Sequence, residues 1–233
     1  MTAGEFEREF DILYNNIASN AAPSIDLYEK SVFLTKAQEE LVGALYNTSF
    51  ETNEATTEHL ANLVTTKKYD SEIDALTTII TEDALSENST FFELPSNLLY
   101  ITYEALKMKE PDDCGNYATV LVKPTTQDEY YRVSKNPFRQ ARKRCALRLT
   151  LDYGEDSNIH AVEIVSTQKK FTYIMRYLRK PRPIVLYNEE GLTVDGVDAE
   201  TVCELNPILH RQILDRAVLL AIAAYKPVAQ QTK

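Results

Sequence analysis

The C-terminal helix constrains the fold of this chain most strongly. Asn206-Pro207 is typical of a helix start, with Asn as the cap and Pro at the first helical position, where its missing amide costs nothing. The apolar residues that follow cover well over half of the helix circumference: Ile208, Leu209, Ile213, Leu214, Ala217, Val218, Leu220, Ala221 and Ile222. A helix this apolar has to be covered on several sides. We expect the N-terminal helices to pack around it, with neighbouring copies of the chain as further cover.

The N-terminal segment predicts a helical hairpin. Thr2 and Glu5 form a Thr-x-x-Glu capping box, in which each side chain binds a free backbone amide, and apolar residues follow at helical spacing. After a break that ends at Pro23, Ser24 is a candidate cap for a second helix, and Thr35 is predicted to begin a further one.

The segment from Thr48 to Asn88 is rich in Thr, Glu and Asn and has weak periodicity. It buries too little apolar surface to offset the backbone entropy of ordering, roughly 1 to 2 kcal/mol per residue. We therefore expect it to be mobile in a free subunit and ordered against a partner; the alternative is helices packed on the same subunit. The residues expected to contact the partner are Leu60, Leu63, Val64, Leu76, Ile79 and Ile80.

The middle of the chain predicts a β structure, because β-branched and aromatic residues dominate from Phe91 onward. Turn signals such as Tyr153-Gly154-Glu155-Asp156 separate the candidate strands. These strands are predicted at residues 98–108, 117–122, 146–151, 161–165, 171–178 and 184–187. Together they indicate an antiparallel sheet or a small barrel.

The predicted fold class is therefore α+β. Helices from both ends of the chain form a helical platform, and the β-rich middle projects from it. The predicted domains are a helical N-terminal part at residues 1–90, a β-rich domain at residues 91–200 and the C-terminal helix at residues 201–233.

The net charge of −10 is unevenly distributed along the chain. Residues 1–100 hold 18 acidic and 5 basic residues, whereas residues 101–182 hold 10 acidic and 16 basic ones. The acidic excess argues against a dedicated nucleic-acid-binding protein, because such binding depends on Lys and Arg neutralising phosphates. It suits a surface that DNA slides past without sticking, although a solvated acidic face is the simpler interpretation.

The sequence contains no recognised motif for catalysis or cofactor binding. There is no P-loop, no G-x-S-x-G elbow and no H-E-x-x-H, and the 6 glycines exclude most nucleotide-binding loops. Cys114, Cys145 and Cys203 are predicted to be free thiols, and the three histidines are too isolated for a zinc site. No stretch approaches the roughly 20 apolar residues of a membrane-spanning helix, and the acidic N-terminus does not resemble a secretory signal. We predict a non-enzymatic protein without metal, cofactor or catalytic residues.

A basic cluster follows Asn136-Pro137-Phe138 and is the most prominent charged feature. Its members are Arg139, Arg142, Lys143, Arg144 and Arg148. Solvated cations flanking a strand are the simplest interpretation of the cluster. The alternatives are ion pairs with an acidic neighbouring subunit and contact with DNA phosphates. We therefore treat these five residues as candidates for a subunit interface.

Several segments resemble a recurring structural protein of the crAss-like bacteriophages, which infect gut Bacteroidales. The segments are EF at residues 5–6, FDILYNNI at 10–17, YEKSVFLTKAQEE at 28–40, VKPTTQDEY at 122–130, NPFR at 136–139 and LNP at 205–207. The resemblance spans almost the whole chain. Two positions depart from the family pattern: Gln127, where members often have His, and Gln140-Ala141, where they have Gly-Pro.

This resemblance implies a virion protein of the portal–tail assembly, a ring or adaptor protein below the portal, present in about twelve copies. The implied partners are further copies of the chain, the portal protein and adjacent tail ring proteins, with transient and non-specific proximity to genomic DNA. Assembly in the host bacterial cytoplasm, without a membrane partner, is implied as well. A closed ring needs two different complementary faces on each subunit, which the charge asymmetry along the chain could supply.

Two other functional classes stay open from the sequence. An enzyme remains an alternative if distant residues converge on a pocket. A non-enzymatic regulatory or nucleic-acid-associated phage protein is the other, and salt-dependent DNA binding by the purified chain would favour it.

Overall fold

Two compact units make up the computed structural model, which describes residues 1–17, 24–48, 58–76, 84–111, 117–153, 159–187 and 191–225. The helical unit consists of Met1–Leu63 and Lys180–Lys233, and the β unit consists of Val64–Arg179. Both ends of the chain therefore contribute helices and the middle contributes the sheet, which confirms the predicted α+β class. These units are defined by spatial contacts; domain boundaries at residues 90 and 200 stay a prediction.

The described residues form four α-helices and seven strands. The helices are α1 (Ala3–Ile17), α2 (Leu27–Thr48), α3 (Gln127–Ser134) and α4 (His210–Tyr225). The strands are β1 (Val64–Asp70), β2 (Ser89–Glu93), β3 (Leu98–Met108), β4 (Thr119–Pro124), β5 (Cys145–Tyr153), β6 (Ile159–Val165) and β7 (Phe171–Arg179). Short 3₁₀ turns, Ala61–Leu63 and Pro207–Leu209, precede β1 and α4. None of these described helices is long and apolar enough to cross a membrane.

Two predicted helix starts are confirmed by their capping geometry. At α1, the Thr2 amide donates to the Glu5 carboxylate at 2.8 Å and the Glu5 amide donates to the Thr2 hydroxyl at 3.3 Å. Before α4, the Asn206 side chain accepts a hydrogen bond from the Ile208 amide at 3.1 Å, and Pro207 begins the 3₁₀ turn that leads into the helix.

The start of α2 differs from the prediction. Asp26 and Glu29, rather than Ser24, form its capping box: the Glu29 amide donates to Asp26 at 2.7 Å and the Asp26 amide donates to Glu29 at 3.2 Å. The predicted helix start at Thr35 is wrong, because α2 continues through this position without a break. The Thr35 hydroxyl is buried and binds another segment instead of capping a helix.

Helices of the same chain cover most of the apolar surface of α4. Its buried residues are His210, Ile213, Leu214, Ala217, Val218 and Ala221, and the helix packs on both α1 and α2. Ile208 in the 3₁₀ turn and Leu219 in α4 stay exposed. The N-terminal helices therefore supply the cover that the apolar pattern requires, and only isolated apolar side chains remain for a neighbouring molecule.

Buried polar side chains of α2 bind an extended segment, residues 182–187. The side chains lie on one face of the helix at i, i+4 and i+7 spacing. Ser31 accepts from the Leu186 amide at 2.9 Å, Thr35 accepts from the Ile184 amide at 3.1 Å, and Gln38 donates to the Arg182 carbonyl at 2.8 Å. These side chains of α2 thus bind backbone groups that a neighbouring strand would bind in a sheet.

The other edge of this segment pairs with one residue. The Val185 amide donates to the Thr201 hydroxyl at 3.0 Å, and the Thr201 amide donates to the Val185 carbonyl at 3.0 Å. The strand predicted at residues 184–187 is therefore wrong, although the segment is buried and extended, because the described residues form only one isolated bridge with it and no strand ladder.

The β unit is one curled, mixed sheet that forms a half-barrel. The strand order is β1-β7-β3-β4-β5-β6-β2. The β4–β5 pair is parallel and the remaining pairs are antiparallel. The concave face holds a core that includes Phe92, Leu106, Ile164, Phe171 and Tyr173. The parallel pair depends on the crossover connection at residues 125–144, which contains α3.

The edge strands β1 and β2 approach each other across the concave face. The rings of Tyr69 and Phe92 are 5.2 Å apart, and the Tyr69 hydroxyl donates to the Glu93 carbonyl at 2.8 Å. The expectation that residues 48–88 depend on a partner for order is wrong for β1, which pairs with β7 along its whole length. Strand pairing and the burial of Tyr69 supply the contacts that the sequence pattern did not show. Residues 49–57 and 77–83 lie outside the described residues.

We predict that Thr35→Val destabilises the helical unit by about 1 to 3 kcal/mol, because the buried Ile184 amide loses its acceptor. The measurement is denaturant unfolding, with hydrogen exchange of the Ile184 amide as the local readout. Thr119→Val, at an exposed position of β4, is the matched control and should change stability by less than about 0.5 kcal/mol. Equal stability and equal Ile184 exchange in both variants would show that this hydrogen bond is not structural.

Candidate subunit interface

The crossover between β4 and β5 presents most of the predicted basic cluster. The Thr126 side chain accepts a hydrogen bond from the Glu129 amide at 3.3 Å and caps α3. Val133 and Tyr130 pack α3 against the convex face of the sheet. The sheet residues beneath them are Leu147, Leu149 and Val165. This apolar contact fixes the crossover, so its outer side chains are presented on a supported surface.

Two local turns shape the segment that we call the basic loop, residues 136–144. The Phe138 amide donates to the Asn136 side chain at 2.9 Å, an arrangement typical of an Asx turn. Arg142 and Cys145 exchange two backbone hydrogen bonds of 2.8 and 2.9 Å. These bonds close a tight turn with Lys143 and Arg144 at its tip. The turn therefore displays neighbouring cations at the beginning of β5.

Exposed aromatic side chains accompany these cations. Phe138 is 77% exposed and Tyr131 is 65% exposed, and the Lys135 ammonium lies 3.9 Å from the centre of the Tyr131 ring. Arg139, Arg142, Lys143 and Arg144 are all exposed. Arg and aromatic residues are enriched at protein interfaces. The sequence prediction named the cations as interface candidates but not Phe138, for which the NPF motif before the cluster was the available signal.

Arg148 is separated from the other four cluster residues. Its side chain lies on the concave face of β5, is only 14% exposed and pairs with Glu104 at 2.9 Å. The same carboxylate accepts a hydrogen bond from the buried Tyr173 hydroxyl. Burial, followed by the Glu104 charge, raises the pKa of Tyr173 far above its usual range, so Tyr173 stays a hydrogen-bond donor. Arg148 therefore belongs to an internal ion-pair network.

The apolar interface candidates also fall into separate groups. Leu60 and Leu63 are buried in their own chain, because the residues preceding β1 pack inward. Val64 is exposed at the start of β1, and Leu76 is partly buried, with its amide donating to the Phe91 carbonyl at 2.9 Å. Ile79 and Ile80 lie outside the described residues. Of the described candidates, Val64 presents the most apolar surface to a neighbour.

The two compact units differ in net charge less than the two sequence segments do. The helical unit contains 18 acidic and 9 basic residues, whereas the β unit contains 17 acidic and 16 basic ones. The acidic residues of 64–100 share a unit with the basic middle of the chain and neutralise most of its charge. The acidic excess of the protein therefore belongs to the helical unit.

Comparisons with known proteins give consistent matches over almost the whole chain. The model of the family described as "Phage tail ring protein 3/4" matches residues 1–233. The protein named "Ring protein 3" of Bacteroides phage crAss001 is 38% identical over 231 residues, which cover 95% of this chain and 95% of that relative. "Ring protein 4/5" of the same phage is 36% identical over 238 residues, covering 97% of this chain and 94% of the relative.

The Glu104–Arg148 pair gives a prediction about stability. Arg148→Met should destabilise the protein by about 3 to 5 kcal/mol, because it leaves the buried Glu104 carboxylate without its cation. Adding Glu104→Gln should restore much of that loss, since the neutral amide still accepts from Tyr173. Arg144→Met, at the exposed tip of the basic loop, is the control and should cost less than about 0.5 kcal/mol. Chemical unfolding of the four proteins tests this, and equal losses for Arg148→Met and Arg144→Met would contradict it.

Proposed function

This chain belongs to the phage tail ring protein 3/4 family, and on that premise we propose that it forms a closed ring in the head-to-tail connector, as an adaptor below the portal. Membership of the family supports a structural role in the phage tail, and hence a place in the virion. The observation that carries the proposal is the match of the whole chain, residues 1–233, to ring proteins.

The proposed partners follow from this position in the particle. Copies of the chain, about twelve in number, contact one another around the ring, and the faces of the ring contact the portal protein and adjacent tail ring proteins. The subunits assemble in the cytoplasm of the host bacterium. We propose no catalytic step, because the family members named above are described as ring proteins rather than as enzymes.

The charge of the chain supports a position around the DNA channel. A net charge of −10 disfavours tight binding to phosphates, and the acidic excess belongs to the helical unit. A channel that lets the genome pass benefits from surfaces that do not hold DNA. The ring can therefore surround DNA while making only transient and non-specific contacts with it.

The basic loop is proposed to contact an acidic neighbouring protein. Arg139 and Arg144 are exposed, and no ion pair holds either of them among the described residues. Exposed Phe138 adds an apolar anchor beside them. A cation next to an aromatic anchor is a combination typical of energetically important interface residues.

A second candidate function rests on the exposed cations and aromatic side chains of the basic loop. Exposed Arg and aromatic side chains also bind single-stranded nucleic acid, where bases stack on the rings and the cations contact phosphates. A nucleic-acid-associated phage protein would use the basic loop in this way. DNA binding by the purified chain that weakens steeply with salt would favour this function over the ring.

Copy number in the particle tests the ring. We predict that mass measurement of native particles, with counting of this chain per virion, gives about twelve copies in a closed ring. Particles that contain one or two copies, or none, would contradict the proposal.

Docking through the basic loop gives a separate prediction. The double variant Arg139→Ala/Arg144→Ala should bind an adjacent ring protein of the same phage at least about tenfold more weakly, equivalent to about 1.4 kcal/mol, and should keep its melting temperature. Lys36→Ala/Lys169→Ala removes two exposed cations elsewhere and is the matched control. Sedimentation of the mixed proteins measures the binding. Unchanged docking by the loop variant, or equal weakening by the control, would exclude the loop from the interface.

A further inference from the structure

Four neighbouring strands leave their convex side open to solvent. On β1, β7, β3 and β4, the residues that fill the concave core alternate with residues that point to the opposite face. We call the convex side of these four strands the open face. Its central row, set by the strand register, consists of Lys68, Ile174, Ala105 and Leu121.

The open face is basic. Lys68, Lys107, Lys123 and Arg176 point outward from it, one on each strand, and all four are exposed. Among the described residues, none of these cations takes part in an ion pair. Asp70 lies at the margin of the face and is already paired with Lys109 at 2.5 Å. Within the described part of their own chain, the cations therefore have no charged partner.

The centre of the open face is apolar. Leu121 is 63% exposed and Tyr103 is 49% exposed, with Ile174 partly buried in the same area. The Arg176 guanidinium lies 5.7 Å from the centre of the Tyr103 ring. An apolar centre with a polar, charged rim is the usual anatomy of a protein interface. This composition favours a protein partner over the sugar-phosphate backbone of DNA.

The helical unit carries a segment with complementary chemistry. Between Pro183 and His210 the sequence has six acidic residues and no Lys or Arg. Residues 191–204, which we call the acidic loop, include a tight hairpin in which Val194 and Val197 exchange backbone hydrogen bonds of 2.9 and 3.0 Å. Asp195 and Gly196 form its turn with φ of 50° and 79°, as an Asp-Gly hairpin turn requires.

The acidic loop presents charge and an apolar anchor together. Asp198 and Glu200 are exposed, and no ion pair involves them within the described part of the chain. Val202, two residues further on, is 54% exposed although it is apolar. The hairpin and the pairing of Thr201 with Val185 hold this segment in place. The acidic loop is therefore complementary to the open face. Its carboxylates are opposite in charge to the cations of the face, and Val202 can pack on the apolar centre.

We propose that the open face of one copy binds the acidic loop of the next copy in the ring. This inference rests on the proposed function and names the two surfaces that the ring would join. The surfaces are different and belong to different units, so the contact is heterologous. Heterologous contacts build rings, because each copy offers one surface forward and the other backward.

Chemical cross-linking tests the contact directly. A zero-length reagent that joins ammonium groups to carboxylates is applied to the full chain, mixed from ¹⁵N-labelled and unlabelled protein so that links between copies are recognised by mass. We expect links from Lys107 or Lys123 to Asp198 or Glu200 of another copy. Assembled rings that give no such link would overturn the proposal.

Charge reversal provides a sharper test. One variant reverses the open face (Lys107→Glu, Lys123→Glu, Arg176→Glu) and another reverses the acidic loop (Asp198→Lys, Glu200→Lys). Each variant alone should associate at least about tenfold more weakly than the unmodified chain, because like charges meet at every contact. An equimolar mixture should associate again, since each reversed surface then meets one of opposite charge on the other variant. Sedimentation velocity measures association.

A control variant separates this effect from net charge. Lys36→Glu, Lys169→Glu and Arg211→Glu change the charge as much as the face variant does, at exposed positions that are not part of the four strands, and should associate normally. Failure of the mixture to associate, or equal weakening of the control, overturns the inference while the ring stands. If the unmodified chain forms no ring, even with adjacent ring proteins, the proposed function fails with it. DNA binding that only the face variant loses, with association unchanged, would make the face a nucleic-acid surface and overturn the inference.

Discussion

The helical unit depends on hydrogen bonds between α2 and the extended segment at residues 182–187. Residues 184–187 of this segment are buried, so their backbone amides and carbonyls need partners, and an unpaired one costs about 1 to 3 kcal/mol. Ser31, Thr35 and Gln38 supply partners from the middle of a helix, where polar residues are usually on the surface. Gln38 also accepts from the Cys203 thiol at 3.2 Å, and burial raises the pKa of that thiol to about 11, which keeps its proton in place. One helix face thereby joins three distant parts of the sequence.

The β unit also contains a buried polar network, which consists of an ion pair and a tyrosine hydroxyl. Its curled sheet brings Glu104 of β3 and Arg148 of β5 together on the concave face, where neither would be stable alone. Tyr173 of β7 completes the site from the other side of β3. This network uses Arg148 internally, whereas the cations of the basic loop and the open face are exposed and available to other molecules. The positive charge of the middle segment is thus divided between a structural role and two surfaces.

The sequence predicted correctly those helix and strand bounds that depend on neighbouring residues. It failed for segments whose structure depends on contacts with residues far away in the sequence. The capping box at Thr2 and the Asn206-Pro207 start gave correct helix ends, and β3 has the predicted bounds of Leu98–Met108. β1 was missed because only Tyr69 is buried in a strand of otherwise half-buried or exposed Thr, Lys, Val and Asp residues. The segment at 184–187 was predicted as a strand because its composition is that of one, while its partner is a helix about 150 residues away. For the candidate interface, sequence identified the basic cluster, but only the structure showed that Arg148 lies on the concave face of the sheet, away from the other four cations.

Subunits with a net charge of −10 can assemble into the proposed ring only if local attraction at their contacts exceeds the repulsion between their net charges. The net charge of neighbouring copies is repulsive, but salt screens exposed charges over a Debye length of about 8 Å at physiological ionic strength. Charges in direct contact at the proposed interface lie well within this distance, so salt weakens their attraction less than it weakens the repulsion between distant charges. Local complementarity between a basic face and an acidic loop can therefore outweigh the net repulsion. In the proposed contact, the four cations of the open face, which form no ion pair with any described residue of their own chain, meet carboxylates of another copy.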